Sequence, residues 1–439
     1  MLDPKRPLPQ ACGSRANTKA AYRFFDNPRV TMSGILQSHY QATVQRVASE
    51  PVVLAAQDTT SLNYSAHPAT EVLGLIGSEV QGPIGMLVHS TLAFNLAGTP
   101  LGLLDVQSWT RDPEDFGKKH QRKELPFEAK ESVRWLRSLE ALERVQGQCP
   151  GTRLVSVGDR EADIYELLVW ATEKPGRPAL LVRAERDRLW AEGQASLWAH
   201  VSSQPVAGEL DLQVPRRDNR PSRIARLSVR FAAVELKPPA LKKQLGPVRM
   251  WAVLAREEAP PAGREPVEWM LLTNLPVEDF AGAQEKLRWY AGRWGIEVFH
   301  RVLKSGCQME QRQLAGADRL EACLAIDMVV AWRIFHLTKL GRQTPDVPCT
   351  VYFEEHEWKA LVAYVTQSPQ VPKEPPKLRE AVRMVASLGG FLGRKADGEP
   401  GTQTMWLGLQ RLDDLAAMYL VMRQSPSESP AVSSDRDYG

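Results

Sequence analysis

The stretch RLVSVGDREADIYELLVWA (153–171) constrains the fold of this chain more than any other. An apolar run ends at Gly158-Asp159, a helical pattern starts near Glu161, and PALLVRAERD (178–187) supplies the next apolar run. Strand, acid, helix, strand is the grammar of an α/β domain. Acids at the start of the helical pattern suit the positive end of its dipole. VVLAAQD (52–58) repeats the arrangement and predicts a buried strand with Asp58 at its tip. GPIGMLVHSTLAFN (82–95) and PLGLLDVQSW (100–109), bounded by Gly and Pro, predict further strands of the same sheet. FEAKESVRWLRSLEALERV (127–145) has helical periodicity with both charge signs.

A length of 439 residues leaves room for two or three units. The expected division is a helical N-terminal segment over 1–45, a first part of the α/β core over 46–187, and a mostly β insertion over 188–276. The last part of the core then covers 277–340, a helical C-terminal region 341–424, and a polar, disordered tail 425–439. Within the insertion, RLSVRFAAVEL (226–236) alternates, and EWMLLTNLP (268–276) predicts a strand returning to the core. No Lys/Arg-led apolar start and no 18-residue apolar run is present, so neither a secretory signal nor a membrane span is expected. Five scattered cysteines without a CxxC pair argue against a thiolate zinc site and for a reducing, intracellular home.

The net charge of +3 does not by itself point to nucleic acid, so the distribution decides. VPRRDNRPSRIARLSVR (214–230) holds six Arg and one Asp. Arg216, Arg217, Arg220 and Arg223 are candidate phosphate contacts, which position a duplex without reading its bases. A solvated basic loop is the competing reading.

YAGRWGIEVFHRVLK (290–304) raises a second question. On a continuous helix Tyr290, Arg293, Glu297, Arg301 and Lys304 share an arc of about 80°, opposite Trp289, Ile296, Phe299 and Leu303. Trp294 projects near that polar face; Trp135, Trp289, His89 and His300 are assigned to packing. Gly292 and Gly295 each cost such a helix about 1 kcal/mol relative to Ala, which close approach or packing can explain. Three carboxylates, Asp58, Asp159 and Glu297, repel one another unless cations compensate them, and hard divalent ions do so. The alternatives stay open here: a strand-end turn for Asp58, a helix cap for Asp159, and a salt-bridged helix surface for Glu297.

At these residues the chain resembles the DDE transposases of bacterial insertion sequences, in the insertion-sequence-four family close to the kanamycin-transposon group. Y-x2-R-x3-E-x6-K falls at Tyr290, Arg293, Glu297 and Lys304, QDTTSLNY (57–64) resembles the first-aspartate segment, and VGDREADIYEL (157–167) the second. GGFLGRKADGEPGTQTMWLGLQRL (389–412) is similar to the family's C-terminal region. The resemblance implies an α/β, RNase H-like core in which Asp58, Asp159 and Glu297 are catalytic and hold two Mg²⁺, with Mn²⁺ substituting. It implies DNA contacts by Tyr290, Arg293, Arg301 and Lys304, and cleavage through a hairpin followed by strand transfer. It further implies a homodimer joined through the C-terminal helices and acting on terminal inverted repeats and target DNA, in the cytoplasm at the nucleoid. Asp163, one turn past Asp159, is a candidate to orient the site. The chain is expected to join the family's longer end-recognition domain near its last helices, which keeps open a DNA-binding or dimerising remnant that inhibits an active relative. A two-carboxylate glycosidase explains neither the cations around Glu297 nor the Arg cluster.

Overall fold

The computed structural model describes residue 9 and residues 12–67, 69–77, 79, 82–112, 125–190, 195–214 and 221–424. The tail over 425–439 and three of the cluster arginines, Arg216, Arg217 and Arg220, lie outside the described residues. The described residues fall into two units, Tyr22–Trp332 and a second made of Arg333–Gly439 with Met1–Ala21.

The larger unit is built on one mixed sheet. Its strands are β1 (Val52–Asn63), β2 (Gly74–Leu75), β3 (Ile84–Asn95), β4 (Pro100–Trp109), β5 (Arg153–Gly158) and β6 (Ala179–Arg183). They continue as β7 (Gly208–Val214), β8 (Arg223–Leu236), β9 (Val248–Arg256) and β10 (Glu268–Thr273). The order is β2-β3-β1-β5-β6-β10-β9-β8-β7, with β4 also on β3. Only β1–β5 and β5–β6 are parallel among these pairs. Val53 to Gln57 form an unbroken buried run, as a strand covered on both faces requires.

The segment 188–276 does not form a sheet of its own. β10 pairs antiparallel with β6, so the strands expected as an insertion carry the central sheet onward to β7, whose alternating exposure marks an edge. Leu180 N–H donates to the Asn274 side chain at 2.9 Å and locks that junction.

Helix α1 (Arg15–Phe25) precedes the strands; α2 (Met32–Ala48), α3 (Val133–Gln148), α4 (Tyr165–Glu173), α5 (Leu197–Ser202), α6 (Phe280–Gly292) and α7 (Trp294–Arg301) flank or follow them, and α8 (Ala317–Gln343) runs past Trp332, where the larger unit ends. Trp135 on α3 is buried against one face, its ring 4.6 Å from that of His89, as its assignment to packing anticipated. Gly158 is needed there: a Cβ would lie 2.3 Å from Ala162 Cβ and 3.2 Å from the Trp135 ring. The other unit contains α9 (Glu355–Thr366), α10 (Leu378–Leu388) and α11 (Thr402–Gln424). Its interior includes Trp358, Leu361, Val385 and Trp406, while Met418 and Met422 on α11 are exposed. No described helix is long and apolar enough to cross a membrane.

Candidate active site

Two aspartates are brought together by strand register. Ala56 on β1 stands beside Val157 on parallel β5, and two residues further along each chain come Asp58 and Asp159. Neighbouring strands run about 4.8 Å apart, so the two carboxylates leave the sheet side by side and on the same face. Gln57, Thr59, Ser156 and Gly158 alternate to the opposite face, toward α3.

Asp58 is not at the strand tip. β1 runs on to Asn63, paired to β3 as far as Gly85, whereas its parallel partner β5 stops at Gly158. The sheet therefore opens on the β5 side of Asp58, and that opening exposes the acid. Asp159 serves as a cap as well: its Oδ1 accepts from Glu161 N–H at 2.9 Å, which holds the carboxylate in place. Burial, then the neighbouring Asp58, push the Asp159 carboxyl above its ordinary range.

The third acid arrives on α7, and the helix carrying it is not continuous. α6 ends at Gly292, α7 begins at Trp294, and after Arg301 the chain widens into a π turn over Val302–Gly306. A straight helical wheel from Tyr290 to Lys304 therefore misplaces the two ends; Lys304 lies on the wide turn, a feature common at functional sites. Trp289, Ile296, Phe299 and Leu303 are buried, as the apolar face required. Gly295 explains itself by close approach: a Cβ would come within 2.6 Å of the Phe94 ring, while at Gly292 the nearest atom is Leu54 Cδ1 at 3.6 Å. Gly295→Ala should lose about 1–3 kcal/mol in thermal unfolding, and Gly292→Ala should stay within about 0.5 kcal/mol of the parent.

Arg293 stands among the three acids. Its Nη2 donates to Glu297 Oε1 at 2.8 Å. Burial opposes its charge, but Tyr290, Asp58, Glu297 and Asp159 together hold it protonated more firmly than usual. Its Nη1 is buried without a hydrogen-bond partner. Tyr290 is only 6% exposed and packs edge-on against Trp269 at 5.2 Å, with the Arg293 guanidinium 6.0 Å from its ring. Trp294 is 54% exposed, Arg301 is exposed and Lys304 half-buried.

His300, assigned to packing from the sequence, also touches the site. Its Nδ1 lies 3.5 Å from Asp58 Oδ2 and its Nε2 3.3 Å from Ser90 Oγ, the residue paired with Asp58 across β1 and β3. Its position one turn after Glu297 was the available signal, since i and i+3 share a helix face. Asp163 is fully buried and anchors the segment after β6: it ion-pairs with Arg188 at 2.5 Å and accepts from the amides of Glu185 and Arg186.

The described arginines of the basic stretch are engaged with glutamates. Arg223, expected at a phosphate, makes a paired contact with buried Glu257. Arg226 meets Glu209 at 2.6 Å and Arg230 meets Glu258 at 2.7 Å. A guanidinium already so paired is a weaker phosphate ligand than its sequence suggests.

Asp58, Asp159 and Glu297 carry the oxygen donors that a hard divalent cation takes, and the buried Arg293 among them competes for that place. As they stand, no three His, Cys, Asp or Glu side chains among the described residues are gathered tightly enough to hold one ion, and Arg293 supplies the balancing charge.

Two family models match this chain: "Transposase Tn5 dimerisation domain" over residues 329–427 and "Transposase DNA-binding" over residues 1–30. Among solved structures, one titled as the piggyBac transposase synaptic complex with hairpin DNA aligns at 8% identity and a TM-score of 0.35. The alignment covers 89% of this chain and 58% of that one.

Proposed function

We propose that this chain, which belongs to the Tn5-like transposases, cleaves DNA strands at the ends of a mobile element and joins them to target DNA. The observation that supports this reading is that Asp58 on β1 and Asp159, one residue past β5, each follow the registered pair Ala56 and Val157 by two residues, while α7 carries Glu297 ion-paired to Arg293 at its N-terminal cap. On this reading the α/β unit is an RNase H-like core.

Asp58, Asp159 and Glu297 would hold Mg²⁺ or Mn²⁺, which when bound supplies positive charge at the attacking and leaving oxygens of a phosphodiester. The chain's own residues do the remainder. Arg293 balances the acids before DNA arrives, and with Arg301 and Lys304 it offers cations to phosphates. Trp294 presents an exposed ring for a base to stack on. Tyr290 acts from beneath, as a prop for Arg293, because its ring is buried against Trp269. His300 steadies the Asp58 carboxylate. A hairpin route, a dimer joined through the C-terminal helices, and terminal inverted repeats as substrate complete the proposal, with a cytoplasmic, nucleoid-associated location.

The test is a duplex ending in the inverted repeat that flanks the gene. Nicking with Mg²⁺ or Mn²⁺, absent in a chelator, is the expected result. Binding and dimerisation without cleavage of either end, at any divalent ion concentration, would favour the inhibitory-remnant reading instead.

A further inference from the structure

We infer that Arg134 is a positioning residue that sets the spacing of Asp58 and Asp159 from the far side of the sheet; the inference rests on the metal site proposed above. Its guanidinium, extending from α3, reaches the segments carrying both acids. Nε donates to Thr59 Oγ1 at 3.0 Å, one residue past Asp58, and Nη2 meets Glu161 Oε2 at 2.8 Å, two residues past Asp159. Nη1 donates to the Glu131 carbonyl at 3.0 Å, so all three nitrogens are used and the fork is held in one plane. Glu161 is also the residue whose N–H donates to the Asp159 carboxylate, so one contact of Arg134 reaches the second acid through a single intervening residue.

The Thr59 contact opens onto a directed chain of hydrogen bonds. Thr59 Oγ1 lies 2.9 Å from His89 Nδ1, His89 Nε2 lies 3.3 Å from Gln57 Oε1, and Gln57 Nε2 donates to Ser156 Oγ at 2.9 Å. Every partner is satisfied if Thr59 accepts from Arg134 and donates to a neutral His89 protonated at Nε2. Burial, then Arg134, hold His89 well below its usual pKa, in keeping with that neutral form. The chain crosses β3, β1 and β5 on the face opposite the acids. Because strand side chains alternate, a shift of Thr59 or Ser156 on this face moves the carboxylates on the other.

Mn²⁺ binding to the full chain, followed by electron paramagnetic resonance without DNA, tests the role. Arg134→Lys keeps the charge but loses the fork, and it should weaken Mn²⁺ about 10- to 100-fold while leaving the melting temperature near that of the parent. Arg134→Ala should do the same and recover in part when millimolar guanidinium is added. Arg137→Ala, exposed on the same helix, is the control expected to bind as the parent does. Should Arg134→Ala fail to fold, Arg134→Lys decides. Parental Mn²⁺ affinity in Arg134→Lys, with Asp58→Asn still abolishing binding, overturns this inference and spares the metal site. Mn²⁺ binding indifferent to Asp58→Asn removes the metal site and this inference with it.

Discussion

Asp58→Asn and Asp159→Asn should each lower strand cleavage at least about a thousandfold and leave duplex affinity within about twofold. Asparagine keeps the shape and loses the negative oxygen, so the sheet and its neighbours stay in place while the hard ligand disappears. A stability signature accompanies the loss of cleavage. Burial and Asp58 raise the Asp159 carboxyl in the folded chain, so this group's contribution to stability is fully present below its unfolded pKa. It is lost as pH rises through the folded value. At neutral pH the two acids therefore repel each other, an effect that Arg293 offsets only in part. Asp58→Asn relieves that repulsion, and should unfold at the same temperature as the parent or higher. The gain should fade as pH falls below the carboxylate range. A catalytic loss accompanied by unfolding would mean that Asp58 is structural.

The second large effect is on folding. Arg312 and Asp327 form a two-bond pair, Nε to Oδ2 and Nη2 to Oδ1, both at 3.0 Å, and the Asp327 side chain has no exposure. Arg312→Leu leaves that carboxylate buried without its cation and should cost about 3–5 kcal/mol. Burial already pushes Asp327 up to about 7 against the opposing Arg312. Losing the arginine raises it further, so protonation rescues the variant at low pH. The deficit should be smallest near pH 5 and grow toward pH 8, as seen by denaturant unfolding at several pH values. A pH-independent deficit would mean that packing, not charge, was removed.

Much of this site was legible in the sequence because its signals are local. Apolar runs ending at Asp58 and Asp159 located both strands, and the signature spacing located Glu297 and Arg293. What escaped depends on partners distant in sequence. The run 268–276 reads as a strand returning to the core, but nothing local shows that β10 pairs with β6 or that the strands before it extend the central sheet. Phe94 dictates Gly295 from across the fold, and the helix interruption at Arg293 leaves no mark on apolar periodicity. The arginines from 223 to 230 look free in one dimension; cross-strand register places Glu209, Glu257 and Glu258 beside them. Arg134 is one charged residue among several on a helix until Thr59 and Glu161 are seen to flank the acids.

Anomalous scattering from Mn²⁺ in crystals of the chain bound to an element-end duplex tests the central claim most directly. Manganese should lie within about 2.2 Å of carboxylate oxygens from Asp58, Asp159 and Glu297, with Arg293 turned from Glu297 toward a DNA phosphate. Manganese bound elsewhere, with Arg293 still held on Glu297 beside an ordered scissile phosphate, would contradict it.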